Sequence, residues 1–168
     1  ELEGVIEGRP MQYETGLFRE PGQFAAWPNS EINVAPIEGT ANGKIVVNVR
    51  IMNIGVMRDE PTTLIVKDGL VVDAIGAGGI ELMHLLESYG DPTAFNVAEF
   101  GLGLNPVSRM YANNLEDLGK WGTGHVGIGS NYAIGGTVKA PCHVDVSFSD
   151  IQVFADDKLI YEKDKIYV

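Results

Sequence analysis

Apolar and polar residues alternate through much of this chain. Lys44 to Met52 reads KIVVNVRIM, Leu64 to Asp73 reads LIVKDGLVVD, and Val144 to Phe154 reads VDVSFSDIQVF. Each run is rich in β-branched residues with a partial period of two, the pattern of half-buried strands. Turn chemistry punctuates them. Asn42-Gly43 precedes the first run, and Asp68-Gly69 divides the second as a two-residue hairpin loop that needs positive φ. Asp156-Asp157 opens a final hairpin before KLIYEKDKIYV. Antiparallel pairing is therefore expected.

A helical period appears from about Gly79 to Tyr89. There Leu82, Met83, Leu85, Leu86 and Tyr89 make an apolar face, with Glu81, His84 and Ser88 on the other side. A second, shorter helix is predicted over Asn114 to Trp121. Strands with one or two helices give an α+β fold, built on a curved, mostly antiparallel sheet or a partly closed barrel. The stretch Arg19 to Gly43, which holds Glu31 and Glu38, is rich in Pro and Gly and reads as an irregular surface loop or the rim of a site.

At 168 residues, 45% of them hydrophobic, the chain suits a single domain, residues 1–168. Its 23 acidic against 12 basic side chains repel phosphate backbones and anionic lipid, so neither nucleic acid nor membrane is an expected partner, and cations are favoured. One cysteine, Cys142, excludes an intrachain disulfide and a cysteine-based zinc motif. Neither an apolar run of about 18 residues nor a basic leader is visible, so a cytoplasmic location is expected.

The candidate chemistry centres on two of the three histidines. On a strand, positions i and i+2 share a face, so His143 and Asp145 can present an imidazole and a carboxylate to one point. Cys142 and Val144 then face the other way, where Cys142 fits as a small buried thiol. His125 sits in GTGHVGIGSN, where neighbouring glycines leave room for close packing around it. Gly122, Gly124 and Gly127 spell GxGxxG, but the strand before and helix after that a dinucleotide site requires are missing. His84 reads as an exposed helical residue. Glu99, in the partly apolar run NVAEFGLGLN, is costly to bury without a partner, and a cation is one such partner. A solvent-facing position at a strand end is the other reading.

The succession WPNSEINVAPIEGTANGKIVV, KDGLVV, AEFGLGLNPVSR, GTGHVGIGSNYAIGG and HVD resembles, from about Gly16 onward, the C-terminal half of the aminopeptidase T (M29) metallopeptidase family. GSNYAIGG and REPGQFAAWPNSEINVAPIEG look closer to a sister branch typified by 2,5-dihydroxypyridine dioxygenase. The resemblance implies metal ligands at Glu31, Glu99, His125, Tyr132, His143 and Asp145, with no counterpart here of the family's N-terminal α/β domain.

For the peptidase branch it implies an aminopeptidase-like hydrolase that cleaves N-terminal residues from peptides. Two divalent ions of zinc, cobalt or manganese would activate a water, with Glu31 and Glu99 as the catalytic carboxylates. For the sister branch it implies one iron(II) on His125, His143 and Asp145, a facial triad that leaves positions open for an aromatic diol and dioxygen, with Glu31 and Glu99 in supporting roles. A third reading is a non-catalytic assembly module, with Phe24, Trp27 and Trp121 on a homodimer surface. The main expectation is the hydrolase, as a homodimer acting on a small peptide or small molecule.

Overall fold

Alternation along the strands separates an apolar face from a polar one, and that separation organises the molecule. The computed structural model describes residues 1–168 apart from Phe24, Asp164 and Val168. In chain order the strands are β1 (Leu2–Glu3), β2 (Met11–Glu14), β3 (Glu31–Val34), β4 (Asn42–Val47), β5 (Arg50–Ile51), β6 (Gly55–Val56), β7 (Thr62–Lys67), β8 (Leu70–Ile75), β9 (Val97–Gly103), β10 (Thr123–Gly129), β11 (His143–Ser149), β12 (Gln152–Ala155), β13 (Lys158–Glu162) and β14 (Lys165–Ile166). Helices α1 (Ala77–Ser88) and α2 (Asn114–Gly119) complete the described elements, together with two short 3-10 turns, Pro92–Phe95 and Tyr132–Ile134.

Among the described residues the strands form three sheets, with orders β1-β4-β7-β8, β2-β3-β9-β10-β11-β5-β6 and β12-β13-β14. The strand pairings are antiparallel and no sheet closes into a barrel. The α+β expectation holds in its open-sheet form.

The core lies between the four-stranded and seven-stranded sheets, closed at one side by α1. Ile45, Val47, Leu64, Val66 and Val71 from the smaller sheet meet Val97, Val126, Ile128, Val144 and Val146 from the larger, and Leu82 and Leu86 of α1 are fully buried in the same cluster. Truncating such a leucine to alanine costs about 2–5 kcal/mol, so α1 is fastened mainly by this stripe. Its first turn is held from outside: the Thr62 hydroxyl accepts from Gly79 N (2.9 Å) and donates to Ile75 O (2.6 Å).

Several expected elements differ in extent. The run Lys44 to Met52 is not one strand: β4 ends at Val47 and the chain crosses to the other sheet before β5. Asn48 secures the crossing, its Oδ1 accepting from Ser149 N at 2.9 Å. Asn42-Gly43 is not a turn but the start of β4, paired with Glu3 and Leu2. The run Val144 to Phe154 likewise breaks at Asp150, whose φ of 58° leaves the strand region. Asp68-Gly69 (φ 49° and 78°) and Asp156-Asp157 (φ 47° and 65°) do form the two tight turns that the sequence predicts. Within the stretch read as an irregular loop, Glu31–Val34 is a strand of the large sheet, paired on both sides.

Candidate metal centre

Residues paired across an antiparallel sheet share a face, so the register alone collects the site. Glu99 and Asp145 both pair with Gly127, and His125 pairs with Gly101 and Ser147. Asn33 pairs with Gly101 and Gln12, while Glu31 pairs with Gly103 and Glu14. The alternate residues Val126, Ile128, Val144, Val146 and Phe100 point into the core or pack against it. One face of the large sheet is therefore apolar and covered, and the other carries Gln12, Glu14, Glu31, Asn33, Glu99, His125, His143 and Asp145. These eight line a cavity of about 390 Å³, flanked by Met52, Leu115, Leu118 and Ile134.

Glycines make room for the rings. A β-carbon at Gly101 would lie 2.0 Å from His125 Nε2, and one at Gly127 would lie 2.6 Å from His143 Nε2 and 2.9 Å from Glu99 Cβ. The glycines around His125 thus serve packing in a central strand. Among the described residues no α-helix follows the GxGxxG spelling, which runs into a strand and makes no nucleotide loop.

Glu99 joins the two histidines. Its Oε1 lies 3.4 Å from His125 Nε2, and its Oε2 lies 3.0 Å from His143 Nε2. Asp145 Oδ1 approaches the same His143 nitrogen at 3.2 Å, and Glu31 Oε2 lies 3.6 Å from His125 Nε2. Two candidate metal-holding groups result, Glu31 with Glu99 and His125, and Glu99 with His143 and Asp145. Glu99 belongs to both.

The electrostatics call for a cation. Burial opposes the charged form of His143, but hydrogen bonds and charges from Asp145 and Glu99 raise its pKa to about 11. His125 is likewise disfavoured as a cation by burial, yet the bond to Glu99 and the charges of Glu31 and Glu99 raise it to about 9. Burial raises Glu99, and the two histidines more than reverse this, lowering it to about 2. No Lys or Arg is among the described residues lining the cavity. The carboxylates must therefore be offset by protons on the imidazoles or by a metal ion in their place.

The donor set fits a metal. His143 Nδ1 lies 2.7 Å from Ser130 O, which holds Nδ1–H as the donor and leaves Nε2 facing Glu99 and Asp145. A ligating histidine is oriented in this way by its second nitrogen. Glu31 Oε2 is buried without a hydrogen-bond partner, and imidazole with carboxylate suits divalent transition ions.

Of the residues expected at the site, Glu31, Glu99, His125, His143 and Asp145 come together. Tyr132 does not join them: it lies on the 3-10 turn, 58% exposed, with Lys139 Nζ 4.0 Å from its ring centroid. Glu99 is buried, against the reading of a solvent-facing strand end. Cys142 lies next to the core, and His84 is exposed on α1. Trp121 packs on Tyr161 with centroids 6.3 Å apart, Trp27 is exposed, and Phe24 lies outside the described residues. The sequence reading misses Gln12, Glu14 and Asn33. Their signal is the alternation of MQYE and EINV, too short to reveal a strand alone.

The family profile described as NicX, 2,5-dihydroxypyridine 5,6-dioxygenase, matches residues 1–167. The chain belongs to this family. It is 27% identical to the 2,5-dihydroxypyridine 5,6-dioxygenase of Pseudomonas putida KT2440 over 165 residues, covering 90% of this chain and 47% of that protein. The solved structure of the 2,5-dihydroxypyridine dioxygenase from the same organism superposes with a TM-score of 0.87 at 24% identity, over 99% of this chain and 51% of the other. AmpT from Thermus thermophilus shares the fold at a TM-score of 0.69 and 18% identity, over 99% of this chain and 49% of its own. This NicX-family chain thus spans about half the length of the relatives it matches.

These findings correct the main functional expectation. The profile and the matched relative are dioxygenases, while the peptidase likeness rests on shared fold at low identity, which carries no reaction. Among the described residues no helix is long and apolar enough to cross a membrane.

Proposed function

We propose that this chain forms the metal-holding unit of a ring-opening dioxygenase whose substrate is a small dihydroxylated aromatic heterocycle. The observation that carries the reading is the Glu99 carboxylate placed between His125 and His143 on the cavity floor, in a chain that the dioxygenase profile matches over residues 1–167.

His125, Glu99, His143 and Asp145 would hold iron(II). When bound, such an ion supplies electron exchange between an electron-rich aromatic ring and dioxygen. The protein's own groups do the rest. Ser130 O holds the Nδ1 proton of His143, so its Nε2 lone pair stays directed at the centre. Glu31 Oε2, buried without a hydrogen-bond donor, would accept the proton of a substrate hydroxyl. Met52, Leu115, Leu118 and Ile134 flank the ring and reduce water in the cavity.

The test loads the protein anaerobically with iron(II), admits oxygen and 2,5-dihydroxypyridine, and follows oxygen uptake with loss of the aromatic absorbance. Uptake of about one dioxygen per ring supports the reading, as does its loss in His143→Ala and Asp145→Asn. Protein that binds iron yet consumes no oxygen beyond free iron(II) overturns the reaction. Protein that takes up no metal overturns the centre.

A further inference from the structure

Outside the ligand cluster, a polar network ties the connection between β10 and β11 to the N-terminal part of the chain. Asn131 is fully buried. Its Nδ2 donates to Glu38 Oε1 at 2.9 Å, and its Oδ1 accepts from Val138 N at 2.8 Å. The same Glu38 oxygen accepts from Thr137 N at 2.8 Å. The other Glu38 oxygen pairs with Arg9, whose second guanidinium nitrogen donates to Gly135 O at 2.8 Å. Gln12 Nε2 adds a bond to Ala133 O at 3.2 Å.

This network ends one bond from the centre. The peptide unit joining Ser130 and Asn131 is held at both poles: its carbonyl faces His143 Nδ1 at 2.7 Å, and its N–H donates to Val138 O at 3.2 Å. Turning that peptide would withdraw the acceptor from His143 and break the Asn131 contacts together. Space is equally constrained, since a β-carbon at Gly136 would lie 2.0 Å from Asn131 Cγ.

We infer that Glu38 and Asn131 are a positioning pair for the centre, holding the Ser130 carbonyl so that His143 keeps its proton on Nδ1 and offers Nε2 to a metal. The inference rests on His143 being a ligand. Neither residue touches the cavity, and both act through the peptide that His143 uses. Glu38 is suited to the task because it gathers two donors of the connection, the Asn131 side chain and Thr137 N, on one oxygen.

The experiment uses zinc(II) as a diamagnetic probe of the intact protein. Zinc affinity is measured by competition with a chromophoric chelator, and exchange of the His143 Nδ1 proton by NMR on histidine-labelled protein. Glu38→Ala should weaken zinc binding about tenfold and speed exchange of that proton. Glu38→Gln, which keeps an acceptor oxygen for Asn131 and Thr137, should restore both to within about threefold. Glu38→Ala that lowers the melting temperature but leaves zinc affinity and the Nδ1 proton unchanged overturns the inference. Should that variant not fold, Asn131→Asp, which sets a second carboxylate against Glu38, makes the same comparison with Glu38→Gln. His143→Ala separates the two readings: unchanged zinc affinity there sinks the metal centre itself, whereas weakened affinity there and none in the Glu38 variants sinks the positioning pair alone.

Discussion

His125 and Gly101 face one another across β9 and β10, and a β-carbon at Gly101 would lie 2.0 Å from the ring Nε2. Gly101 keeps an ordinary strand backbone, so alanine there meets the ring and not a conformational barrier. Gly101→Ala should displace His125 from Glu99, at an overpacking cost of about 1–3 kcal/mol. Metal affinity should fall at least about tenfold while far-UV circular dichroism stays native. Native affinity in a folded Gly101→Ala protein would remove His125 from the ligand set.

Much of this arrangement is legible from the strand period. His143 and Asp145 announce a shared face because they stand two apart in a β-branched run, and Cys142 falls on the opposite side for the same reason. His125 is flagged by its neighbouring glycines, of which Gly127 clears space for the His143 ring, whereas the His125 ring is accommodated by Gly101 on the adjacent strand. Glu31 is less legible: its strand is four residues long inside a Pro- and Gly-rich stretch, and only pairing with β2 and β9 makes it a strand. Tyr132, a position implied by the family resemblance, lies on an exposed 3-10 turn that the sequence does not announce. The reaction is the least legible part, since carboxylate and imidazole donors at the same positions serve a hydrolytic or an oxidative metal equally well.

Glu14 stands beside Glu31 on the same sheet face, and its Oε2 is buried without a hydrogen-bond partner. Burial, with the charges of Glu31 and Glu99, raises its pKa above the usual 4.5. A raised carboxyl pKa costs stability as pH climbs through that value, because the unfolded chain ionises more readily. Glu14→Gln should therefore raise the melting temperature of metal-free protein at pH 7.5, by roughly 1–3 °C. The gain should fade near pH 4, where both states hold the proton. A variant less stable than the parent at neutral pH would contradict this account.

Arg50 and Asp117 tie β5 to α2. Arg50 Nε donates to Asp117 Oδ2 at 2.6 Å, and the Asp117 side chain is fully buried. Helix α2 carries Leu115 and Leu118 to the cavity wall, so this pair supports the site from behind. Arg50→Ala leaves a buried carboxylate without its cation and should cost about 3 kcal/mol in urea unfolding with an unchanged m value. A loss below about 1 kcal/mol would mean that the pair is screened or replaced by water.

Protonation and metal binding would compete at the same nitrogens, so metal-free and metal-loaded protein should respond differently to alkaline pH. In metal-free protein the folded pKa values of His125 and His143 are raised to about 9 and about 11, so their contribution to stability is complete below about 6.5. It is lost as pH rises through the folded values. Glu99, lowered to about 2, works in the other direction, contributing fully above about 4.5 and losing its contribution as pH falls toward 2. The melting temperature of chelator-treated protein should therefore decline as pH rises from 6.5 toward 10. Metal-loaded protein, whose imidazoles are already deprotonated at the metal-facing nitrogens, should not follow that part of the curve. Loading at pH 7.5 should release up to about two protons per centre, read from the dependence of calorimetric heat on buffer ionisation enthalpy. Release of no protons, with full metal uptake, would show that the ion sits away from both histidines.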